Sequence, residues 1–370
     1  MKRQRLAAID IGTNSIRCIV VEVDKTGKYR VLDDEKTTVR LGEGLADDGA
    51  LSEAAWQRAM DALSRMKKIV DGYRVVGIET VATSAVRRAT NGAAFVKDVH
   101  EQVGLEITVI SGEDEAELAV ASALNNFDME GTRYALIDIG GGSVEVVTGL
   151  GNHIEEIYSL ELGAVVLTER FVATDTVRRG DYERMRKHIR KTLKAAFAVE
   201  EVPVQWLLGS GGTMTSIAGM VMAMRKEGYG SLHGYELLRS EVVHILAMLL
   251  RKDLKERQSI PGLNPDRADI IVAGVTVVDE LMEYFKANLL KINERGIREG
   301  LILGSLKKHD LLPAGKQPRN WRDGVLEFAR SCHYDEEHSL QVAKLSAEIF
   351  AAVADPFGLG DREGQMLEAA

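Results

Sequence analysis

The stretch Ala135–Val147, ALIDIGGGSVEVV, has a near copy at Ala7–Val23, AAIDIGTNSIRCIVVEV. Each is an apolar run ending in Asp, a turn that opens Ile-Gly, and a second apolar run. Working outward, the first copy continues through RCIVVEV and YRVLDDE, joined by the turn-rich DKTGK, and the second through VEVVTG and HIEEIYSLEL, joined by LGN. Both therefore read as strand, glycine turn, strand, turn, strand. A repeat at this separation is too long for a solenoid and indicates two copies of one domain. After each meander the pattern changes to alternating helix and strand. SEAAWQRAMDALSRMKKIV has apolar residues at helical spacing, while VVGIETVATSAV and LEITVI read as strands. WLLGSGGT is a strand running into a Gly turn, with a helix starting near Met214, and DIIVAGVTVVDELMEYF is a long apolar helix. A meander followed by such alternation specifies mixed-sheet α/β lobes. The expected organisation is a first lobe over 1–124, a second over 125–310 whose last helix can pack back on the first, and a linker with a partial helical segment over 311–370. Pro313 and Pro318 mark the linker, and EEHSLQVAKLSAEIFAAVA the helix beyond it.

With 370 residues, 45% hydrophobic and 28% charged, the chain can bury full cores in two or three domains. No run approaches the roughly 18 consecutive apolar residues of a membrane helix, and the N-terminal MKRQRLAAIDIG lacks the apolar stretch of a secretion signal. The expectation is a cytoplasmic protein with no membrane partner. Cys18 and Cys332 match no metal or redox spacing, and Cys18 reads as a small core side chain. A formal net charge of -9 argues against a nucleic-acid binder, sequence-specific or general. The basic run RMRKHIRKTLK from Arg184 reads first as a solvated helix face, and second as a groove for a long polyanion.

Three loops carry the chemistry. In DIGGGS the glycines Gly140, Gly141 and Gly142, with Ser143, let the backbone approach a ligand and offer N–H groups to an anion. In DIGTNS the turn residues Thr13, Asn14 and Ser15 add side-chain donors. In GSGGT, Gly209, Ser210, Gly211, Gly212 and Thr213 follow a strand and precede a helix whose N-terminus favours negative charge. One glycine turn alone is more often structural. Three of them, two in a duplicated unit, point to a chain of phosphates held in a cleft between two lobes. Asp138 ends its strand and Glu145 starts the return strand, so one hairpin can hold both at the cleft mouth as oxygen ligands for Mg2+, with Asp10 at the matching position of the first copy. In ISGEDEAELAVASAL, Glu113, Asp114, Glu115 and Glu117 crowd a helix start capped by Ser111 with Asp114. Acids in a first turn are favoured by the helix dipole without any function. Glu115 is nonetheless the candidate base, because phosphoryl transfer to water needs a carboxylate to orient or deprotonate the attacking molecule. Arg87 in TSAVRRATN can fork onto a terminal phosphate.

Through AAIDIGTNSIR, VATSAVRRATN, VISGEDEAELA, LIDIGGGSVEVV, LELGAVVLTERF, LLGSGGTMTSIAG and IREGLIL, in that order from about Leu6 to about His309, the chain resembles the exopolyphosphatase and guanosine pentaphosphate phosphohydrolase family. That family is a branch of the superfamily that includes acetate and sugar kinases, actin and the heat-shock chaperone ATPases. The resemblance implies two ribonuclease-H-like lobes around a cleft, and hydrolysis of terminal phosphates from inorganic polyphosphate or from the 5′ end of pppGpp. By motif position it also implies Glu115 as general base, Asp138 and Glu145 as magnesium ligands, and Arg87 with the GGGS and GSGGT loops as phosphate holders. YDEEHSLQVAKLSAEIF is similar to the opening of the helical C-terminal domain of longer members, related to HD-type metal phosphohydrolases. The sequence stops before a His-Asp pair, so His338 is expected to be a lone exposed histidine, and an apolar face on this segment can pair with a second copy. Two alternatives stay open: a kinase or nucleotide hydrolase with an adenosine pocket, and a sensor that binds pppGpp or ppGpp without useful turnover.

Overall fold

The computed structural model describes residues 4–311, except 25–26, 46–48, 198–202 and 229, together with 325–326, 329, 334–357 and 359–369. The linker marked by Pro313 and Pro318 lies outside the described residues. The first lobe opens with the meander β1 (Gln4–Ile11), β2 (Ser15–Val23) and β3 (Tyr29–Thr38), followed by α1 (Glu53–Tyr73), β4 (Gly77–Ala82), α2 (Ser84–Arg88), α3 (Gly92–Val103), β5 (Thr108–Val109) and α4 (Gly112–Asn126). The second repeats the plan with β6 (Arg133–Ile139), β7 (Val144–Leu150), β8 (His153–Leu160), α5 (Ala164–Phe171), α6 (Arg179–Ala196), β9 (Trp206–Ser210) and α7 (Gly212–Arg225). It then adds β10 (Glu236–Leu238), α8 (Arg239–Leu249), α9 (Leu254–Gln258), α10 (Ile271–Tyr284), β11 (Leu289–Asn293) and α11 (Gly296–Lys308). Beyond these stand α12 (Glu336–Phe357) and α13 (Asp361–Ala369).

The first sheet runs β3-β2-β1-β4-β5 and the second β10-β11-β9-β6-β7-β8. Read from the meander edge the two orders coincide, with β10 added at the far edge of the second. The register agrees residue by residue. Asp10 faces Arg17 across the first hairpin and Asp138 faces Glu145 across the second, and each outer strand shifts register at the equivalent place, after Val20 and after Thr148. These mixed sheets with flanking helices are the two α/β lobes the sequence pattern specifies.

Several local readings change. VVGIETVATSAV splits into β4 and the short helix α2, because β4 ends where its neighbour β1 runs out at Ile11. LEITVI pairs only over Thr108–Val109, at the sheet edge. The helix expected near Met214 starts at Gly212. The apolar run DIIVAGVTVVDELMEYF does form a helix, α10, buried almost all round as a core helix must be. Its Glu280, 3% exposed, takes 2.5 Å ion pairs from Arg186 and Arg190 of α6. Two arginines of the basic run, Arg186 and the more exposed Arg190, are therefore tied to a buried carboxylate. Cys18 is buried in the first core, and His338 is exposed on α12. Leu345, Ile349 and Phe357 of α12 are exposed apolar residues.

Helices α4 and α11 join the lobes. α4 follows the first sheet but packs against β6, β7 and β8 of the second, while α11 follows the second sheet and packs against β1 and β4 of the first. The two helices cross in close contact, and a Cβ on Gly300 would collide with the carbonyl oxygen of Leu118. Gly300→Ala is expected to destabilise the protein by about 1–3 kcal/mol through overpacking. Gly304→Ala, in the same helix with open space around it, should instead stabilise it by about 0.5–1 kcal/mol. Thermal unfolding of the two variants checks the pair.

Candidate active site

The site forms where β1, β4, β6 and β9 end together, which is where mixed α/β sheets place ligands. The duplicated turns are built alike: Gly12 N–H donates to Ser15 O at 3.2 Å, and Gly140 N–H to Ser143 O at 3.0 Å. Neighbouring segments brace them from behind. Thr13 O and Asn14 O accept from Gly42, Val39 and Arg40, while Gly140 O and Gly141 O accept from Ala164 and Val165 at the start of α5. With the carbonyls so engaged, among the described residues none of the N–H groups of Thr13, Asn14, Gly141, Gly142 or Ser143 is taken by a main-chain carbonyl. The turns touch across the lobes. A Cβ on Gly142 would collide with Ser84 Oγ and stand 2.7 Å from Thr13 Oγ1. The third loop needs glycine for a second reason, since Gly211 has φ 95° and a Cβ there would lie 2.6 Å from Ile139 O.

Together these loops enclose a cavity of about 100 Å³ lined by Asp10, Thr13, Asn14, Ser15, Glu115, Asp138, Gly140, Gly141, Gly142, Ser143, Ser210, Gly211 and Gly212. The remaining expected residues do not line the cavity itself. Gly209 is inside β9, where a Cβ would stand 2.7 Å from Met214 Sδ, so it serves core packing. Thr213 is buried with its Oγ1 3.5 Å from Arg267. Glu145 is 1% exposed beside Asp138, accepting from Ser159 Oγ at 2.9 Å. Arg87 donates through Nη1 to Ile110 O at 2.7 Å and to Glu115 Oε2 at 3.3 Å, so it holds the expected base rather than standing free at the loops.

Four carboxylates gather here, and each is driven toward its protonated form. Burial, followed by the charges of Glu145, Asp10 and Asp138, raises Glu115 well above the ordinary carboxylate range, against the pull of Arg87. Burial, then Asp138, pushes Glu145 up to about 7. Burial and Asp10 push Asp138 to about 6, and burial raises Asp10 despite Arg17 and Arg298.

Apart from Arg87, the sequence reading named none of the cations at the site. Arg17, Arg267, Arg295 and Arg298 line the same cavity. Arg298 pairs with Asp34 and Arg295 with Glu299 at 3.0 Å, but among the described residues Arg17 and Arg267 have no carboxylate partner. Arg267 is 5% exposed, and burial beside Arg17 lowers its pKa to about 10. The repeat itself holds the signal for Arg17, because laying DIGTNSIR on DIGGGSVE puts it at the position of Glu145. Arg298 stands in the motif IREGLIL. Arg267, in a polar stretch before a helix, has no comparable marker.

Asp10 Oδ1, Thr13 Oγ1, Asn14 Nδ2, Glu145 Oε2, Ser210 Oγ and Arg267 Nε are all buried without a hydrogen-bond partner among the described residues. Buried polar atoms are normally satisfied, so orphans of both signs in one place fit a ligand carrying both anionic oxygen and metal. Among the described residues no three His, Cys, Asp or Glu side chains come together to hold a metal alone. A hard divalent ion takes one or two carboxylates and completes its shell with water and substrate phosphate, and Asp138 facing Glu145 is such a pair.

The model of the Ppx/GppA phosphatase family matches residues 19–309. This chain belongs to the Ppx/GppA phosphatase family. It is 29% identical over 320 residues to "Exopolyphosphatase 2" of Mycobacterium tuberculosis, covering 82% of this chain and 99% of that one. It is 31% identical over 308 residues to a "Bifunctional 3-dehydroquinate synthase/phosphatase" of Fusobacterium nucleatum, covering 80% of this chain and 46% of the relative. Among solved structures, an exopolyphosphatase from Cytophaga hutchinsonii aligns with TM-score 0.77 and 28% identity over 82% of this chain and 98% of that one. The Aquifex aeolicus member of the Ppx/GppA family aligns with TM-score 0.70 and 28% identity over 84% and 99%. No described helix is long and apolar enough to cross a membrane.

The raised carboxylates set a sign for stability in this Ppx/GppA protein. Asp138 rises from 3.8 to about 6 and Glu145 from 4.5 to about 7. Their protonated forms stabilise the fold fully below the unfolded values, and that contribution is lost as pH rises through 6 and 7. In EDTA, the unfolding midpoint should fall between pH 5 and pH 8, and Glu145→Gln should flatten that slope and raise the midpoint at pH 8. Differential scanning fluorimetry across pH reads both.

Proposed function

We propose that this protein is an exopolyphosphatase, releasing orthophosphate from the end of inorganic polyphosphate by in-line attack of water. The observation that carries this reading is the convergence, at two duplicated turns and the GSGGT loop, of the unpaired cations Arg17 and Arg267 with the buried carboxylate of Glu115, held by Arg87. Glu115 takes a proton from the attacking water. The bond from the terminal phosphorus to its bridging oxygen breaks, and that oxygen leaves with the shortened chain. Main-chain N–H groups of the turns, with Arg17 and Arg267, hold the equatorial oxygens as charge builds on them. Arg87 keeps Glu115 in place. Mg2+ held through Asp138 and Glu145, with Asp10 facing them from the other lobe, supplies positive charge against the terminal phosphates when bound. Most of the rate comes from positioning and preorganised charge, since no covalent intermediate is needed.

The same chemistry would remove the 5′-terminal phosphate of pppGpp. A specific observation favours that second substrate: the cavity opens into a larger groove partly walled by Ile19, Leu232 and Leu303, apolar side chains on which a nucleoside can lie.

Orthophosphate release from long-chain polyphosphate, pppGpp and ATP, each with Mg2+ or EDTA, tests the assignment. Release from polyphosphate is expected to need the metal, and Glu115→Gln should lower kcat by about 10²–10⁴-fold. Release that survives intact in Glu115→Gln would overturn the role of the base, and release from ATP alone would overturn the substrate. Arg267→Ala should raise KM about tenfold or more through loss of a charged hydrogen bond to phosphate.

A further inference from the structure

The duplicated sheets carry matching rows of side chains that diverge in charge. In the second lobe the row across β6, β7 and β8 is Asp138, Glu145, Ser159, two acids with a hydroxyl supporting the second. In the first lobe the row across β1, β2 and β3 is Asp10, Arg17, Lys36. Residues opposite one another in a ladder share a face. Beyond the acid, the first row is therefore purely cationic, and Lys36 occupies the place where the other lobe has Ser159.

Lys36 is a costly residue to keep there. It is half-buried, and its surroundings bring together Arg17, Arg267 and Arg298, with Asp266 as the counter-charge. Asp266 also accepts from Thr38 Oγ1, and Asp34 is engaged by Arg298. Among the described residues Lys36 has no carboxylate within ion-pair distance. Burial and the neighbouring arginines lower its pKa to about 8. Like charges set side by side without partners destabilise the free protein and fit a polyanion.

Position selects the part of the polyanion. Lys36 does not line the small cavity at the turns but a groove of about 1060 Å³ beyond it. The two are continuous, because Arg17, Thr215, Glu294, Arg295 and Arg298 line both. A chain whose end lies at Asp10 and Asp138 leaves the cavity past Arg17 and meets Lys36 next.

We propose that Lys36 binds phosphates upstream of the one being cleaved and so sets the preference for long phosphate chains over short ones. This rests on the exopolyphosphatase reading and adds a residue that favours length without touching the reacting phosphate. Every further phosphate that a lysine contacts also adds to the salt dependence of binding.

The test compares wild type, Lys36→Gln and Lys36→Arg on tripolyphosphate and on long-chain polyphosphate with Mg2+. In Lys36→Gln, KM for the long chain should rise about tenfold, as for loss of one charged hydrogen bond. KM for tripolyphosphate and both kcat values should stay within about twofold of wild type, and the slope of log KM against log salt for the long chain should fall by about 0.7. Lys36→Arg should restore the long-chain KM. Equal losses on both substrates, no loss on either, or an unchanged salt slope would overturn the proposal. If wild type releases phosphate from neither substrate, the functional reading fails on its own. Direct binding of long-chain polyphosphate then decides for Lys36: weakening in Lys36→Gln and recovery in Lys36→Arg support it, and equal binding by all three overturns it.

Discussion

The contact between the turn at Gly142 and the turn at Thr13 is the constraint on which the site depends. Each lobe alone supplies half of a binding cradle: an Asp at a strand end, a few outward N–H groups and one charged neighbour across the hairpin. Asp138 and Glu145 already face each other within the second lobe, and α4 brings Glu115 to them; where the glycine turn of the second lobe is pressed against Thr13 and Ser84 of the first, Asp10 joins them and adds to the shifts of Asp138 and Glu115. A side chain at that turn would hold the lobes apart. The absence of a Cβ is thus an electrostatic device as well as a steric one.

The resulting site works against the stability of the fold. Buried carboxylates crowd one side and unpaired guanidinium groups the other, and neither set fully neutralises the other, although Arg87 holds Glu115 and Asp34 holds Arg298. Buried charge without a partner is expensive. The stabilising side is carried elsewhere, by the mostly apolar α10, buried almost all round, by the two sheet cores, and by the Glu280 of α10 with its two arginines. Local rules are broken where the chemistry is and obeyed around it, the pattern expected of a functional site.

How much of this was legible in the sequence follows from what each signal encodes. The two hairpins were readable because alternation, Gly turns and a repeat all report local backbone geometry, and the register that places Glu145 opposite Asp138 follows from the turn length. The start of α4 was visible because the Ser111–Asp114 capping box marks it, whereas Glu115 was singled out from the acids around it only by the chemistry sought and by motif position. Arg267 was not, because its neighbours come from α7 and β2, far away in sequence, and nothing local marks a buried cation. Gly209 was overread for the opposite reason. Its spacing matches a phosphate loop, yet its need for glycine comes from Met214 and Leu290 packed over the strand. LEITVI was too long as a strand because propensity does not know that only two residues have a neighbour to pair with.

The exchange of α4 and α11 between the sheets has a bearing on how the chain can be divided. Severing it in the connection between Asn126 and Arg133 would yield two pieces whose boundaries look like those of domains. The first piece would carry a helix shaped for the other's sheet, with Ala116, Ala119, Val120 and Ala123 stripped of cover. The second would carry one whose Leu301, Ile302 and Leu306 belong against β1. Such pieces are complementary fragments, each sticky until it meets the other, and reassembly would restore the cleft together with the fold. For this architecture the unit of folding is therefore the pair of lobes, and a lobe expressed by itself is an incomplete core rather than half an enzyme.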